Sequence, residues 1–156
     1  MITSCFIKIN KVISGKNPTA GDKMNGKARQ LRERGEFDYD YVHDIIFFKV
    51  GNRNYDRSIE FENLVIDIDD KNFIVGLQIF EASEYFNIPK KHLRIVTKWQ
   101  LIANINRIAQ TKSRIEIRLF FEIRIRNRVV QPEPIITHDV DDKMEDSKTV
   151  CVPMKN

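Results

Sequence analysis

Chemistry in this chain would have to start from its carboxylates, its histidines or its phosphate-like glycine spacing. Asp67, Asp69 and Asp70 are crowded enough to suggest a calcium loop. Counted from Asp67, however, such a loop needs Asp or Asn at Lys71, glycine at Asn72 and glutamate at Gln78, and all three fail. A divalent ion held by Asp67 and Asp69 with Asp40 or Asp44 has oxygen ligands of the right type, and that reading predicts that Asp40, Asp44 and Asp67 cluster in a concave site. "GDKMNGKA", Gly21 to Ala28, fits G-x-x-x-x-G-K but carries Ala28 where a phosphate loop needs a magnesium-binding hydroxyl. The context also fails, because the following "RQLRERGE" is too polar for a packed helix. His43, His92 and His138 have no metal-ligand spacing, and neither Cys5 nor Cys151 has a neighbouring base. General acid–base work by His43 and Asp44 would need a pocket. No set of residues assembles into named catalytic roles, so the sequence leans away from an enzyme and implies no catalytic residue, metal or cofactor.

The stronger signal is "RIEIRLFFEIRIRNRVV", Arg114 to Val130. Ile115, Ile117, Leu119, Phe121, Ile123 and Ile125 are apolar, while the positions between them are mostly charged. That period of two is a β-strand with one wall in a core. On the other side Arg114, Arg118, Arg124, Arg126 and Arg128 outnumber Glu116 and Glu122, and Phe120 is the apolar exception. Charge on an exposed sheet face keeps it from pairing edge to edge. Arginine also forks onto phosphate or carboxylate and stacks on bases. The interaction surface expected from sequence is therefore Arg114, Arg118, Phe120, Arg124, Arg126 and Arg128. It suits a protein partner or a second copy of the chain, as a homodimer, or alternatively single-stranded nucleic acid with Phe120 as a stacking platform.

These residues need elements to hold them. In 156 residues, 42% hydrophobic and 31% charged, there is material for one packed domain with extensions. Isoleucine-rich, glycine-poor composition favours sheet. No run nears the roughly 18 apolar residues of a membrane span, and "MITSCFIKINKVISGK" has no signal-peptide pattern. A cytoplasmic protein with reduced thiols and no membrane partner is expected. Charge is segregated: residues 1–34 carry eight Lys/Arg against two acids, and 131–156 carry three against six.

Along the chain, residues 1–36 read as a basic flexible arm with a frayed helical turn at Lys27–Arg34. Met24 precedes the ordered pattern, so residues 1–23 read as an alternative start or an unpacked extension. "DYDYVHDIIFFKV" predicts a strand over about 39–50, Gly51–Asn54 a turn, and "RSIEFENLVIDID" a strand bent sharply at Asn63. Asp70-Lys71-Asn72 closes a hairpin into "FIVGLQIF". "EASEYFNIPKKHL" predicts one or two helical turns ended near Pro89. "KWQLIANINRI" then pairs with the arginine strand, setting Ile105 opposite Ile117, Ala103 opposite Leu119 and Leu101 opposite Phe121. Residues 131–156 read as an acidic mobile tail with a short edge strand at Thr149–Val152. The expected fold is mainly β (small α+β): an antiparallel three-stranded meander, a short helix and a long C-terminal hairpin within a domain of residues 37–130. Its core would be Ile45, Phe47, Phe61, Ile66, Leu77, Ile79, Trp99, Leu101, Leu119, Phe121 and Ile123.

Tyr39-Asp40, Asp44, Ile46-Phe47-Phe48, Ile66-Asp67-Ile68-Asp69, Ile74-Val75-Gly76-Leu77 and Ala82-Ser83 follow one another in a recognisable order. Over about residues 37–83 the chain resembles a small prokaryotic β-domain of unknown function, domain-of-unknown-function family 2283. Asn72 stands where that pattern has a turn glycine, and Gln78 where it has a glutamate. The resemblance implies a β-meander followed by a short helix, and no activity. Residues and resemblance together lead to an uncharacterised non-catalytic binding or assembly module. A nucleic-acid binder is the alternative, and a metal-dependent enzyme stands behind both.

Overall fold

The computed structural model of the chain describes residues 6–9 and 29–154. In chain order the elements are β1 (Phe6–Ile9), β2 (Arg29–Asp40), β3 (Ile45–Val50), β4 (Tyr55–Phe61), β5 (Leu64–Asp69) and β6 (Ile74–Phe80). Two short helices follow, α1 (Ala82–Phe86) and α2 (Lys90–Leu93). Then come β7 (Val96–Ala109), β8 (Lys112–Ile125), β9 (Arg128–Val130), β10 (Pro134–Val140) and β11 (Ser147–Pro153). Among the described residues the strands form one sheet in the order β1-β10-β8-β7-β11-β2-β3-β6-β5-β4, with β9 on the end of β8. The fold is mainly β, with the short helical pieces where the loss of alternation predicts them. Among the described residues no helix is long and apolar enough to cross a membrane.

β11 is the strand that joins the two halves. It runs antiparallel to β7 on one side and parallel to β2 on the other. Both β10 and β11 lie in the segment expected as an acidic tail. Ile136, His138, Ser147, Thr149 and Cys151 point into the interior and are buried. Residues 29–36, expected as the end of a basic arm with a helical turn, are strand β2. Gly35 lets β2 pass close to its neighbours: a Cβ there would meet the Lys49 carbonyl oxygen at 2.3 Å and Cys151 Sγ at 2.4 Å.

The sheet curls so that its halves face each other across one core. Phe48 of β3 packs against Trp99 of β7 and Phe121 of β8, and Phe37 of β2 joins them. Ile66, Leu77, Ile79, Leu101, Leu119, Phe121 and Ile123 are buried as the alternation predicts. Phe61 and Trp99 are partly buried against this core. Ile45 and Phe47 are not in it; Ile46, Phe48 and Val50 are. The predicted strand over 39–50 is broken by a turn at 41–44, and Asp44 in the left-handed conformation (φ 57°) sets the phase of β3. In "IIFF" alternation carries no phase of its own, so the turn decides it.

The β7–β8 hairpin exists, but two residues out of the expected register. Ile105 faces Ile115, Ala103 faces Ile117, Leu101 faces Leu119 and Trp99 faces Phe121. A two-residue turn at Gln110–Thr111, with an irregularity between Arg107 and Ala109, replaces the longer loop. Because side chains repeat every two residues, the same ones still face the core. The bend expected at Asn63 is a hairpin between β4 and β5. The expected three strands are therefore four: the bent one divides into β4 and β5, the meander is β4-β5-β6, and β3, expected as its first strand, lies beside β6 in a Greek-key order.

Candidate functional site

Alternation along β8 puts Arg114, Glu116, Arg118, Phe120, Glu122 and Arg124 on the outer face of the sheet, opposite the buried series. Their neighbours come from flanking strands. One row crosses five strands as Ile135, Arg118, Ile102, Val150 and Arg32, so Arg118 stands in a half-exposed apolar stripe. Arg114 grips Asp139 of β10 through two hydrogen bonds of 2.7 and 3.1 Å. That fork holds the Asp139 carboxyl below its ordinary pKa and raises the guanidinium. Arg118 donates to Glu116 at 3.2 Å.

The remaining arginines depart from the predicted row. β8 stops at Ile125, and Arg126 turns the chain with a φ of 51°. Arg128 then pairs with Ile125, which puts it on the opposite side of the ladder from Arg124. The three form an exposed basic tip rather than an extension of the face. None of their side chains has a hydrogen-bond or ion-pair partner among the described residues.

Where Phe120 sits, the outer face is hollowed. Lys98, Trp99, Gln100, Phe120, Phe121, Glu122, Gln131 and Glu133 line a cleft of about 240 Å³. Lys98 and Glu122 approach to 3.8 Å across its rim. Glu133 is only 8% exposed. Burial raises its pKa, against a weaker pull from Arg118. Charge patterning does not single out Glu133; its one signal in the sequence is the "PEP" step, because Pro132 and Pro134 restrict the backbone on both sides of it.

The acidic residues singled out as ligand candidates are occupied elsewhere. Asp44 accepts from the Tyr39 hydroxyl at 2.6 Å, and from the Ser83 hydroxyl and amide at 2.6 and 3.0 Å. Burial alone would raise its pKa, but these hydrogen bonds outweigh it and the net shift is downward. The clasp ties the β2–β3 turn to the start of α1. Asp40 caps the same turn, accepting from the His43 and Val42 amides and meeting the His43 ring at 2.7 Å. Lys90 and Arg94 bracket the Tyr41 ring at 4.9 and 4.4 Å. Asp67 accepts from Ser58 at 2.7 Å and lies over Gly76. Buried Asp69 caps the β5–β6 turn through the Lys71 and Phe73 amides and pairs with Arg53 at 2.6 Å. Asp40, Asp44 and Asp67 are not brought together, and among the described residues no group of three or more His, Cys, Asp or Glu could hold a metal. Gly21–Ala28 and Cys5 lie outside the described residues.

Residues 36–83, which hold every one of these clasps and caps, match the family described as Protein of unknown function (DUF2283). A Methanosarcina mazei protein named putative hypoxanthine phosphoribosyltransferase is 30% identical over 95 residues, 61% of this chain and 73% of that protein. The chain belongs to the DUF2283 family. An uncharacterized protein of Methanocaldococcus jannaschii is 25% identical over 103 residues, 65% of this chain and 84% of that protein. No solved structure matches. The sequence pattern of DUF2283 thus falls on residues that build turns and helix entry, while the arginine tip and the Glu133 cleft lie outside the matched region.

Proposed function

We propose that this DUF2283 protein is a non-catalytic binding and assembly module that docks a protein partner, or a second copy of itself, through the outer face of β8 and the β8–β9 tip. The observation that carries this is the contrast among the arginines. Arg114 and Arg118 are spent on Asp139 and Glu116, whereas Arg124, Arg126 and Arg128 stand without a counter-charge among the described residues. Three neighbouring guanidinium groups repel one another and gain most from an acidic surface. Acidic residues lie at the other end of β8, where the β10–β11 connection carries exposed Asp141, Asp142, Glu145 and Asp146 around Lys143; Asp141 already meets Lys112 at 3.8 Å and Glu145 meets Arg29 at 3.3 Å, which leaves Asp142 and Asp146 without an ion pair. Fourteen residues of strand put the two ends roughly 45 Å apart. Two copies packed antiparallel would therefore join tip to loop twice, the self-complementary arrangement of a two-fold dimer.

Sedimentation velocity over a range of concentration and salt tests this reading. Self-association that weakens with salt, and that is lost in R124Q/R126Q/R128Q, is the expected result. Nucleic acid is the second reading, favoured by the aromatic Phe120 on the outer face of β8, the face that also carries Arg124. Anisotropy of labelled single-stranded and duplex DNA and RNA separates the two. Salt-dependent binding that falls by roughly 0.7–0.9 in log–log slope per lost arginine would transfer the surface to nucleic acid. A monomer that binds no nucleic acid at low salt leaves the external protein partner. The transferase name of the Methanosarcina relative gains nothing from the helices, whose five and four residues cannot present an anion-binding N-terminus.

A further inference from the structure

The half of the sheet that matches the family carries a groove of its own on the outer face. Its lining includes Phe47, Lys49, Tyr55, Asp67, Val75 and Gln78, and every residue in it falls within residues 36–83. Its volume of about 490 Å³ lies within the roughly 300–1,000 Å³ of small-molecule sites. We propose that this groove binds a free α-amino acid with a large apolar side chain. The carboxylate sits on Lys49, the ammonium on Asp67 and the side chain over Phe47. The site is separate from the docking surface of β8, which belongs to the other half of the sheet.

Strand pairing places the two charges. Lys49 of β3, Gly76 of β6 and Asp67 of β5 form one row, so the residue between the charges has no side chain. Asp67 leans over that glycine: a Cβ on Gly76 would lie 2.6 Å from Asp67 Oδ2. Asp67 Oδ1 accepts from the Ser58 hydroxyl at 2.7 Å, and Ser58 meets the Tyr55 hydroxyl at 2.8 Å. Oδ2 has no hydrogen-bond partner among the described residues, and neither has the Lys49 ammonium. The carboxylate is thus oriented before a ligand arrives, with one oxygen left for a charge-assisted bond. The Cα atoms of Lys49 and Asp67 are two strand spacings, roughly 10 Å, apart. An amino acid holds its ammonium and carboxylate about 3 Å apart on one carbon. A hydrogen bond of about 2.8 Å at each end lets it bridge most of that span.

The mixed charge of the groove selects a zwitterion. An inorganic anion would face Glu36, Asp38 and Asp67, and a plain cation would face Lys49, whereas a zwitterion offers each its opposite. Phe47 and Gln78 pair in the next row, two residues along the strands, so a ligand's side chain falls on them. Phe47 is half-buried on the outer side and touches no other ring among the described residues. An apolar side chain laid on that ring removes both from water.

Two-dimensional amide NMR of the isotope-labelled full chain tests this, with L-phenylalanine and L-leucine as probes. L-alanine, phenethylamine and 3-phenylpropionate would run alongside, lacking in turn the side chain, the carboxylate and the ammonium. Saturable shifts clustered at Phe47, Lys49, Asp67 and Gly76 are the expected result. Binding should be about tenfold weaker for each of the three analogues and for K49Q and D67N. No saturable shift with either amino acid, or shifts clustered elsewhere, would overturn the proposal. So would an analogue that binds as tightly as L-phenylalanine, or an unchanged K49Q. Lys49 is exposed, so K49Q and the analogues keep the test decisive even where D67N folds poorly. Neither self-association nor nucleic acid enters this titration, so its failure leaves the arginine tip untouched.

Discussion

The His138 imidazole lies flat against the ring of Phe61, with 3.9 Å between ring centroids and 20° between planes. The two residues belong to β10 and β4, near opposite ends of the strand order, and their contact is where the curled sheet meets itself. His138 is 3% exposed, and neither ring nitrogen has a hydrogen-bond partner among the described residues. A neutral imidazole tolerates this setting far better than an imidazolium.

Acid should therefore loosen the closure. Burial lowers the His138 pKa, with Asp139 working against it. In the unfolded chain a histidine titrates near 6.5, so the contribution of neutral His138 is present above about that pH. It is lost as pH falls from there towards the lower folded value. Tm measured between pH 7.5 and 5 should fall more steeply in the wild type than in H138F. Parallel curves for the two proteins would rule the histidine out as the cause.

The Asp44 clasp should be the most sensitive part of the matched family region. D44A leaves the Tyr39 hydroxyl and both Ser83 donors without their acceptor, at a cost of about 2–3 kcal/mol. Y39F removes one bond and should cost about 1 kcal/mol. D44N should fall between them, since asparagine keeps one acceptor and tolerates the left-handed turn. Urea denaturation checks the order, and a Y39F as damaging as D44A would contradict it. Since the folded Asp44 pKa is depressed, its contribution persists above the unfolded carboxylate range near 3.9 and disappears as pH falls through the folded value.

Gly76 is needed for space rather than for a turn. A Cβ at that position would lie 2.6 Å from Asp67 Oδ2 and 3.0 Å from Asp67 Cβ. G76A should destabilise the protein by about 1–3 kcal/mol through overpacking. In a G76A/D67G background the clash is gone, so the double variant should be more stable than the sum of the single changes. Additive losses in a double-mutant cycle would refute the steric account.

Alternation was enough to determine the mainly β fold, which residues of β8 face the core, and the short helical stretch around Pro89. A period of two is a local property, so it survives ignorance of the pairing partner. For the same reason it could not fix the β7–β8 register: a shift of two residues leaves every side chain on the same side of the sheet. It could not phase "IIFF" either, where the decision falls to Asp44 at the preceding turn. Turn chemistry was legible at Asp69, and Asp40, Asp44 and Asp69 are spent on turns, while Asp67 is spent on Ser58 across the β4–β5 ladder.

Only the tertiary structure decided the rest. "SKTVCVP" reads as a short edge strand at Thr149–Val152 within a tail, and becomes the longer joining strand because β2 and β7 offer it ladders on both sides. Parallel pairing between residues 29–35 and 147–153 leaves no trace in local sequence. Glu133 is an ordinary glutamate until the Phe121 amide holds the Pro132 carbonyl and the residue is drawn against the sheet. The row of arginines read from spacing divides, once folded, into two paired residues and a free tip, because a charge pair depends on what lies across the ladder and the sequence states only what lies along it.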